Sequence, residues 1–210
     1  MTSPIPTSPA LTADLTARVE SWIAQDPDPE TVAELTDQLA LARAGDDDAG
    51  EQLADAFSGT LTFGTAGLRG AIAAGPKRMN RVVVARAAAG LAAYLREKGG
   101  RSVVIGYDAR KNSAVFARDT AEIMQAAGID AFLLPEHLPT PTLAFAILHL
   151  GTDAGVMVTA SHNPPNDNGY KVYLGDGSQI VPPADAEIAA HIATVGPVDE
   201  LPRSDAWTLL

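Results

Sequence analysis

The chain is organised around Thr159-Ala160-Ser161-His162-Asn163-Pro164-Pro165-Asn166-Asp167-Asn168-Gly169-Tyr170-Lys171. The short apolar run Gly155-Val156-Met157-Val158 precedes this stretch and indicates a buried strand, because strands covered on both faces are continuously apolar. Ser161 and His162 follow the end of that strand, and Lys171 returns as the next strand begins. Ligands of open α/β sheets bind at the carboxyl ends of strands. The loop can therefore hold a hydroxyl, an imidazole and an ammonium around one small anion.

The composition of this loop also permits a less specific interpretation. Pro164-Pro165 stiffens the backbone, and Asn166-Asp167-Asn168-Gly169 predicts a turn. The same residue types occur in ordinary surface connections between strands, so composition alone leaves both interpretations open. The Gly-x-Ser-x-Gly pattern of a nucleophile elbow is missing around Ser161, which argues against a hydrolase with a Ser-His-Asp triad.

The segments that surround the loop alternate between strand and helix patterns. Strands are predicted at 102–107, 130–134 and 155–159, and helices at 80–98, 113–127, 139–150 and 183–193, with a hairpin from 170–174 to 179–181 around Gly175-Asp176-Gly177. This alternation predicts an α/β fold: a three-layer αβα domain with a mixed, largely parallel sheet and right-handed crossovers.

Two further segments carry candidate site residues. Leu61-Thr62-Phe63 is predicted as a strand, and Gly64-Thr65-Ala66-Gly67-Leu68-Arg69-Gly70 follows it. Backbone amides of a glycine-rich loop can surround an anion, and Arg69 could add a bidentate donor. An ordinary turn with a solvent-facing arginine fits the pattern equally well. Asp108-Ala109-Arg110 lies at the carboxyl end of the predicted strand 102–107.

The two ends of the chain are predicted to lie outside this domain. Residues 1–58 form a tail, of which 2–9 are expected to be disordered, and a helical extension with three helices. Asp46-Asp47-Asp48 is interpreted as a helix start rather than a metal site, because acidic residues favour the positive N-terminus of a helix. The domain spans 59–196, and residues 197–210 resemble a linker.

Composition excludes several functional classes. The chain has 210 residues, a formal net charge of −11 and no cysteine. The charge argues against a nucleic-acid or anionic-membrane surface, and the missing thiols exclude disulfides and thiolate metal sites. Neither a signal peptide nor an apolar stretch of membrane-spanning length is present. A soluble cytoplasmic protein is expected, with no nucleic-acid or membrane partner.

Three motifs in this order resemble those of the α-D-phosphohexomutases, the family of phosphoglucomutases and phosphomannomutases. They are Gly64 to Gly70, Gly106-Tyr107-Asp108-Ala109-Arg110, and the loop from Thr159 to Lys171. Phe63 to Gly70 and the helical extension are most similar to the subgroup of bacterial phosphoglucomutases and related phosphopentomutases. The resemblance covers roughly residues 61–195, the first domain of that family.

The resemblance implies an isomerase that moves a phosphoryl group through a phosphoserine at Ser161. Ser161, His162 and Lys171 would be catalytic, and Thr65, Arg69 and Asn163 would bind substrate or phosphate. Asp108 and Arg110 would support the loops. The implied substrate is a sugar phosphate, most simply glucose 1-phosphate and 6-phosphate, with mannose or pentose phosphates as alternatives and a sugar 1,6-bisphosphate as intermediate and activator.

The implied cofactor is a magnesium ion, to which the Ser161 phosphoryl group would supply one ligand. The family takes the other ligands from an Asp-Gly-Asp-x-Asp-Arg loop of a second domain, and that motif does not occur in this sequence. The chain is therefore expected to be the N-terminal part of a larger enzyme, with the remaining domains as its partners. By itself it is expected to be inactive, and a non-catalytic phosphosugar-binding domain stays open.

Overall fold

The computed structural model describes residues 11–65 and 67–210, so the prediction for residues 2–9 lies outside the described part. The described helices are α1 (Ala13–Gln25), α2 (Pro29–Arg43), α3 (Asp47–Ala56), α4 (Arg81–Lys98), α5 (Ser113–Ala126), α6 (Thr140–Leu150) and α7 (Ala184–Ala193). The described strands are β1 (Leu68–Ala71), β2 (Ser102–Tyr107), β3 (Asp130–His137), β4 (Ala154–Val158), β5 (Asp167–Leu174) and β6 (Thr208–Leu209). A single 3₁₀ turn covers Val198–Glu200 in this part of the chain.

The strands form one mixed sheet in the order β1-β5-β4-β2-β3-β6. Strand β2 runs parallel to β3 and β4, and β6 runs parallel to β3. Strand β5 is antiparallel to both β4 and β1. The predicted α/β class and the mixed sheet are confirmed. The carboxyl ends of β2 and β4 lie side by side, and the loop from Thr159 to Lys171, called the serine loop below, begins there.

Helices cover both faces of the sheet and give it three layers. Alternate residues of β2 point to opposite faces, as the pleat requires. Val103 and Ile105 belong to a large core with α4 and α5, whereas Val104 belongs to a smaller core with Leu143 and Ile147 of α6.

The predicted N-terminal helices α1, α2 and α3 are present and capped by the expected residue types. Asp28 accepts a hydrogen bond from the Glu30 amide at 3.0 Å, with Pro29 at the first helical position. Asp46 accepts from the Ala49 amide at 2.9 Å, so the aspartate run starts a helix, as predicted.

The predicted strand at 61–63 is wrong, and the true edge strand is β1. Leu68 pairs with Tyr170 and Arg69 with Gly169, so half of the predicted glycine-rich loop belongs to the sheet. Gly67, at φ +72°, permits this pairing, because a Cβ there would collide with the Tyr170 carbonyl oxygen. The predicted turn at 166–169 is also shorter than expected, since β5 already begins at Asp167.

The segments at the end of the chain also differ from expectation. Gln179 makes a single bridge to Tyr173, so the second arm of the predicted hairpin is not a strand. Residues 197–210, predicted as a linker, pack against the domain through β6 and through Arg203, whose guanidinium lies 2.7 Å from the carboxylate of Asp119. Among the helices that the structure describes, none has the length and apolarity needed to cross a membrane.

Candidate functional site

The centre of the site is a direct contact between Ser161 and Lys171. Ser161 lies in the loop after β4, and Lys171 lies in the neighbouring strand β5, opposite Met157. The Lys171 Nζ donates a hydrogen bond to the Ser161 Oγ at 2.6 Å. The antiparallel pairing of β4 with β5 therefore places an ammonium group on the hydroxyl.

The surroundings of Lys171 lower its pKa. The main cause is partial burial, and the positive charge of Arg69 adds to it, while the carboxylate of Asp108 acts in the opposite direction. A lysine with a lowered pKa gives up its proton more readily than a free lysine. It can therefore serve as a proton donor as well as a positive charge beside the serine oxygen.

The Ser161 backbone adopts a conformation that is unusual for a residue with a side chain. Its φ is +54°, in the left-handed region, which carries a steric cost. The Thr159 Oγ1 accepts a hydrogen bond from the Ser161 amide at 2.9 Å and donates one to Asp108 Oδ2 at 2.6 Å. These contacts support the conformation and fix the direction of the serine side chain.

Asp108 connects the serine loop to the start of helix α5. Besides Thr159, its carboxylate accepts hydrogen bonds from the Ser113 hydroxyl at 2.6 Å and from the Arg110 amide at 3.0 Å. The Arg110 Nε lies 3.3 Å from the same carboxylate. The end of β2 and the end of β4 are thereby held together.

Arg110, which follows the end of β2, hydrogen-bonds to the serine loop. Its two terminal nitrogens donate to four backbone carbonyl oxygens at 2.7 to 3.0 Å, those of Ser161, Asn163, Pro164 and Asp167. Its side chain is only 16% exposed. The planar guanidinium matches several acceptors at once, which a lysine cannot do. Asp108 and Arg110 thus contact the loop as the predicted supporting role requires.

Arg69 reaches the same loop from β1. Its Nη1 donates to Asn163 Oδ1 at 3.2 Å, and the Asn163 amide nitrogen donates to Asp167 Oδ2 at 2.9 Å. Arg69 is exposed, so its remaining donors are open to an anion beside Ser161 and Lys171. Arg69 is exposed, as the solvent-facing alternative predicted, but its side chain also hydrogen-bonds to the loop.

Two predicted site residues have no hydrogen bond to this group among the described residues. The carbonyl oxygen of Thr65 accepts a hydrogen bond from Gln179 at 3.1 Å, and its side chain is exposed. His162 is exposed, and its imidazole has no hydrogen-bond partner among the described residues. His162, which lies within the loop, is therefore open to a ligand bound there.

The family model for the phosphoglucomutase/phosphomannomutase alpha/beta/alpha domain I matches residues 60–198. The chain belongs to this family. That match places the serine loop, the Asp108-Arg110 pair and Arg69 within the first domain of the phosphohexomutases.

Named relatives extend the match. A protein of Haemophilus influenzae named as a probable phosphomannomutase is 63% identical over 138 residues, which cover 63% of this chain and 28% of the relative. The phosphoribomutase of Saccharomyces cerevisiae is 42% identical over 185 residues, covering 86% of this chain and 29% of the relative. A crystal structure of a protein assigned as a phosphomannomutase from Thermus thermophilus has a TM-score of 0.63 and 34% identity, over 72% of this chain and 33% of that one. The chain thus spans about a third or less of the length of these relatives.

One supporting residue of this phosphohexomutase domain was missed by sequence reasoning. Asn168, predicted as a turn residue, is fully buried in β5. Its Nδ2 donates to the Lys111 carbonyl and to the Ser113 hydroxyl, each at 3.0 Å. Asn168 therefore fixes Ser113, which in turn binds Asp108. Its place in a turn-like sequence gave no signal of burial.

The described residues contain no group of three or more His, Cys, Asp or Glu side chains arranged to hold a metal ion. The sequence predicts one magnesium ligand in this chain, an oxygen of the phosphoryl group that Ser161 would carry. The magnesium assignment stays a prediction.

Proposed function

We propose that this chain is the phosphoserine-bearing first domain of a phosphohexomutase that interconverts a sugar 1-phosphate and a sugar 6-phosphate. The observation that carries the proposal is the 2.6 Å contact between Lys171 Nζ and Ser161 Oγ. A lysine held on a serine hydroxyl, with Arg69 on the same loop, suits a serine that alternately carries and releases a phosphoryl group. Membership of the family supports the same reaction type.

In the proposed transfer, a sugar hydroxyl oxygen attacks the phosphorus of phosphoserine 161. The new O–P bond forms as the bond between phosphorus and Ser161 Oγ breaks, and the electron pair of that bond stays on Oγ. Lys171 stabilises the negative charge that develops there and donates a proton to it. The proton of the attacking hydroxyl goes to a base, and the exposed imidazole of His162 is our candidate for this role.

The bisphosphate formed in this step would then turn over and return its other phosphoryl group to Ser161. Arg69 and Asn163 would hold phosphate oxygens, because a guanidinium offers paired donors to a phosphate. The exposed Thr65 would join them. A bound magnesium ion would spread the charge of the transferring group, with the phosphoryl oxygen on Ser161 as its ligand from this chain.

We propose glucose phosphates as substrate and the 1,6-bisphosphate as activator. Mannose and ribose phosphates are the alternatives, favoured by the names of the relatives from Haemophilus influenzae and Saccharomyces cerevisiae. The other partners would be the remaining domains of a longer protein in a cytoplasmic setting. The 210-residue chain by itself should not turn over glucose 1-phosphate.

The test uses a longer protein of the relatives' length that carries this chain. Ser161→Ala should abolish conversion of glucose 1-phosphate to glucose 6-phosphate in a coupled assay with magnesium and a bisphosphate primer. It should also abolish a gain of about 80 Da on the peptide containing residue 161, which is the mass of one phosphoryl group. Ser178→Ala, at an exposed loop serine, is the matched control and should keep both. Near wild-type turnover by the Ser161 variant would refute the mechanism, and running mannose and ribose phosphates in parallel identifies the sugar.

A further inference from the structure

A second cleft lies away from the serine loop, under the N-terminal helices. It has a volume of about 410 Å³ and lies between α1, residues 60–63, α4 and α7. We call it the Arg86 cleft and define it by six of its lining residues: Trp22, Leu61, Phe63, Val83, Arg86 and Ile192. An adjoining space of about 430 Å³ shares Trp22, Thr60, Pro76 and Arg86 with it. Neither lining includes Ser161, His162, Lys171 or Arg69.

Most residues that line the Arg86 cleft are apolar; Thr60 and Thr62 are its neutral polar residues, and Arg86 is the one charged residue among the described lining residues. Arg86 is partly buried, and its guanidinium lies 5.3 Å from the centre of the Trp22 ring. Its Nη2 donates to the neutral amide oxygen of Gln25 at 3.3 Å. Its Nε is buried and has no acceptor among the described residues. The protein therefore surrounds this cation with an aromatic ring and one amide.

Other partly buried arginines of the described chain have a carboxylate partner, and Arg86 has none. Arg81 and Arg203 both contact Asp119 at 2.7 Å, and Arg110 contacts Asp108 at 3.3 Å. No Asp or Glu lines either space beside Arg86. Residues 1–10 and 66, which the structure does not describe, contain no acidic residue in the sequence.

This lack of a counter-ion has an energetic consequence. Burial lowers the pKa of Arg86, and no neighbouring carboxylate opposes that effect. Withdrawing a charge from water without a partner is costly, so an anion that binds beside the guanidinium would regain part of that cost. The chain has 26 acidic residues and a net charge of −11, yet none of the acidic residues that the structure describes lines this cleft.

We propose that the Arg86 cleft binds a small organic carboxylate with an apolar body. The anionic group pairs with the exposed end of the Arg86 guanidinium, and the body packs between Trp22, Phe63 and Ile192. The adjoining space also contains Arg18, but that side chain already contacts the Phe57 carbonyl oxygen and the Asp14 carboxylate. Among the described lining residues, Arg86 is therefore the one cation of the cleft without an acidic partner, which matches a monoanion better than a phosphate dianion. The volume is within the range of clefts that hold small molecules.

The test measures binding of 4-phenylbutyrate to the 210-residue chain, with its neutral amide, 4-phenylbutyramide, as the matched ligand. The protein has two tryptophans, Trp22 and Trp207, so the Trp207→Phe variant makes Trp22 the sole tryptophan reporter. We expect a saturable change in Trp22 fluorescence with the carboxylate. The amide should bind about tenfold to a hundredfold more weakly, since it lacks the charge-assisted bond.

Three variants locate the site. Arg86→Gln should weaken binding of 4-phenylbutyrate by at least about tenfold. Arg96→Gln, at an exposed position of the same helix, should leave it unchanged. Ala189→Phe, which places a large ring into the cleft from α7, should block binding of both ligands. Circular dichroism checks the folding of each, and if Arg86→Gln does not fold, Ala189→Phe decides the location.

Some outcomes would overturn the proposal. They are a lack of saturable signal up to about 10 mM, equal affinity for the carboxylate and the amide, or binding that Ala189→Phe leaves intact. Inorganic phosphate should not change Trp22 fluorescence, and a saturable phosphate response that is lost in Arg86→Gln would also contradict it. None of these measurements involves Ser161, so their failure would not affect the proposed mutase function.

Discussion

Replacing Arg110 should loosen the serine loop far more than the loss of one surface charge would. Arg110→Met keeps the apolar stem and removes the four hydrogen bonds to loop carbonyls, as well as the contact with Asp108. Arg110→Lys keeps a charge but offers a single ammonium group, which cannot reach four acceptors in one plane. The two variants therefore separate the role of the positive charge from that of the planar guanidinium with its several donors.

The magnitude follows from the number and burial of these bonds. A hydrogen bond that involves a charged group contributes about 1.5 to 3 kcal/mol. The loop carbonyls can be rehydrated, so a value of about 0.5 to 1 kcal/mol for each bond is more suitable here. Four bonds then give a loss of about 2 to 4 kcal/mol. A domain is typically stable by about 5 to 15 kcal/mol, so the variant should still fold.

The assay is urea unfolding of the 210-residue chain followed by circular dichroism, together with hydrogen exchange of the peptide spanning residues 159–171. Both Arg110 variants should lower the free energy of unfolding, and the loop amides should exchange faster. Arg118→Met, at an exposed position of α5, is the control and should change neither. If both Arg110 variants lose less than about 1 kcal/mol and the loop exchange is unchanged, Arg110 does not hold the loop and our account of Ser161 is wrong.

Three further predictions concern the charged groups of Lys171 and Asp119. Lys171→Met should slow turnover of the longer protein at least about 100-fold, while the unfolding free energy of the chain at pH 7 changes by less than about 1 kcal/mol. Because burial lowers the pKa of Lys171 in the folded state, the unfolded chain binds that proton more tightly. The contribution of Lys171 to the free energy of unfolding should therefore rise as the pH rises from the lowered pKa towards 10.5. Urea unfolding of the wild-type chain and of Lys171→Met at pH 7 and pH 10 measures this contribution. A fall in it between the two pH values would contradict the prediction. Asp119→Asn should cost about 3 to 5 kcal/mol, because it removes a carboxylate that is only 3% exposed and that both Arg81 and Arg203 contact. Arg203 keeps Glu122 at 3.0 Å, so the main loss is the carboxylate partner of Arg81. A melting temperature no lower than that of Asp37→Asn, at an exposed site, would disprove that estimate.

Local sequence determined the helices and the central strands, because their signals lie within a few residues. Asn80 caps α4 by accepting a hydrogen bond from the Val83 amide at 3.0 Å, and the apolar run of β2 needs only its own side chains to be recognised. The serine loop could also be located from sequence, since Ser161 and Lys171 flank a single turn between two neighbouring strands.

Only the tertiary structure decided which distant residues meet at that loop. The pairing of β1 with β5 puts Arg69 beside Asn163, 94 residues away in sequence. Arg110 reaches carbonyl groups more than 50 residues further along. Strand pairing joins segments whatever their separation, so neither contact leaves a periodic signal in the sequence. The Arg86 cleft could not be predicted from local sequence either, because its lining residues come from α1, α4 and α7, which lie far apart along the chain.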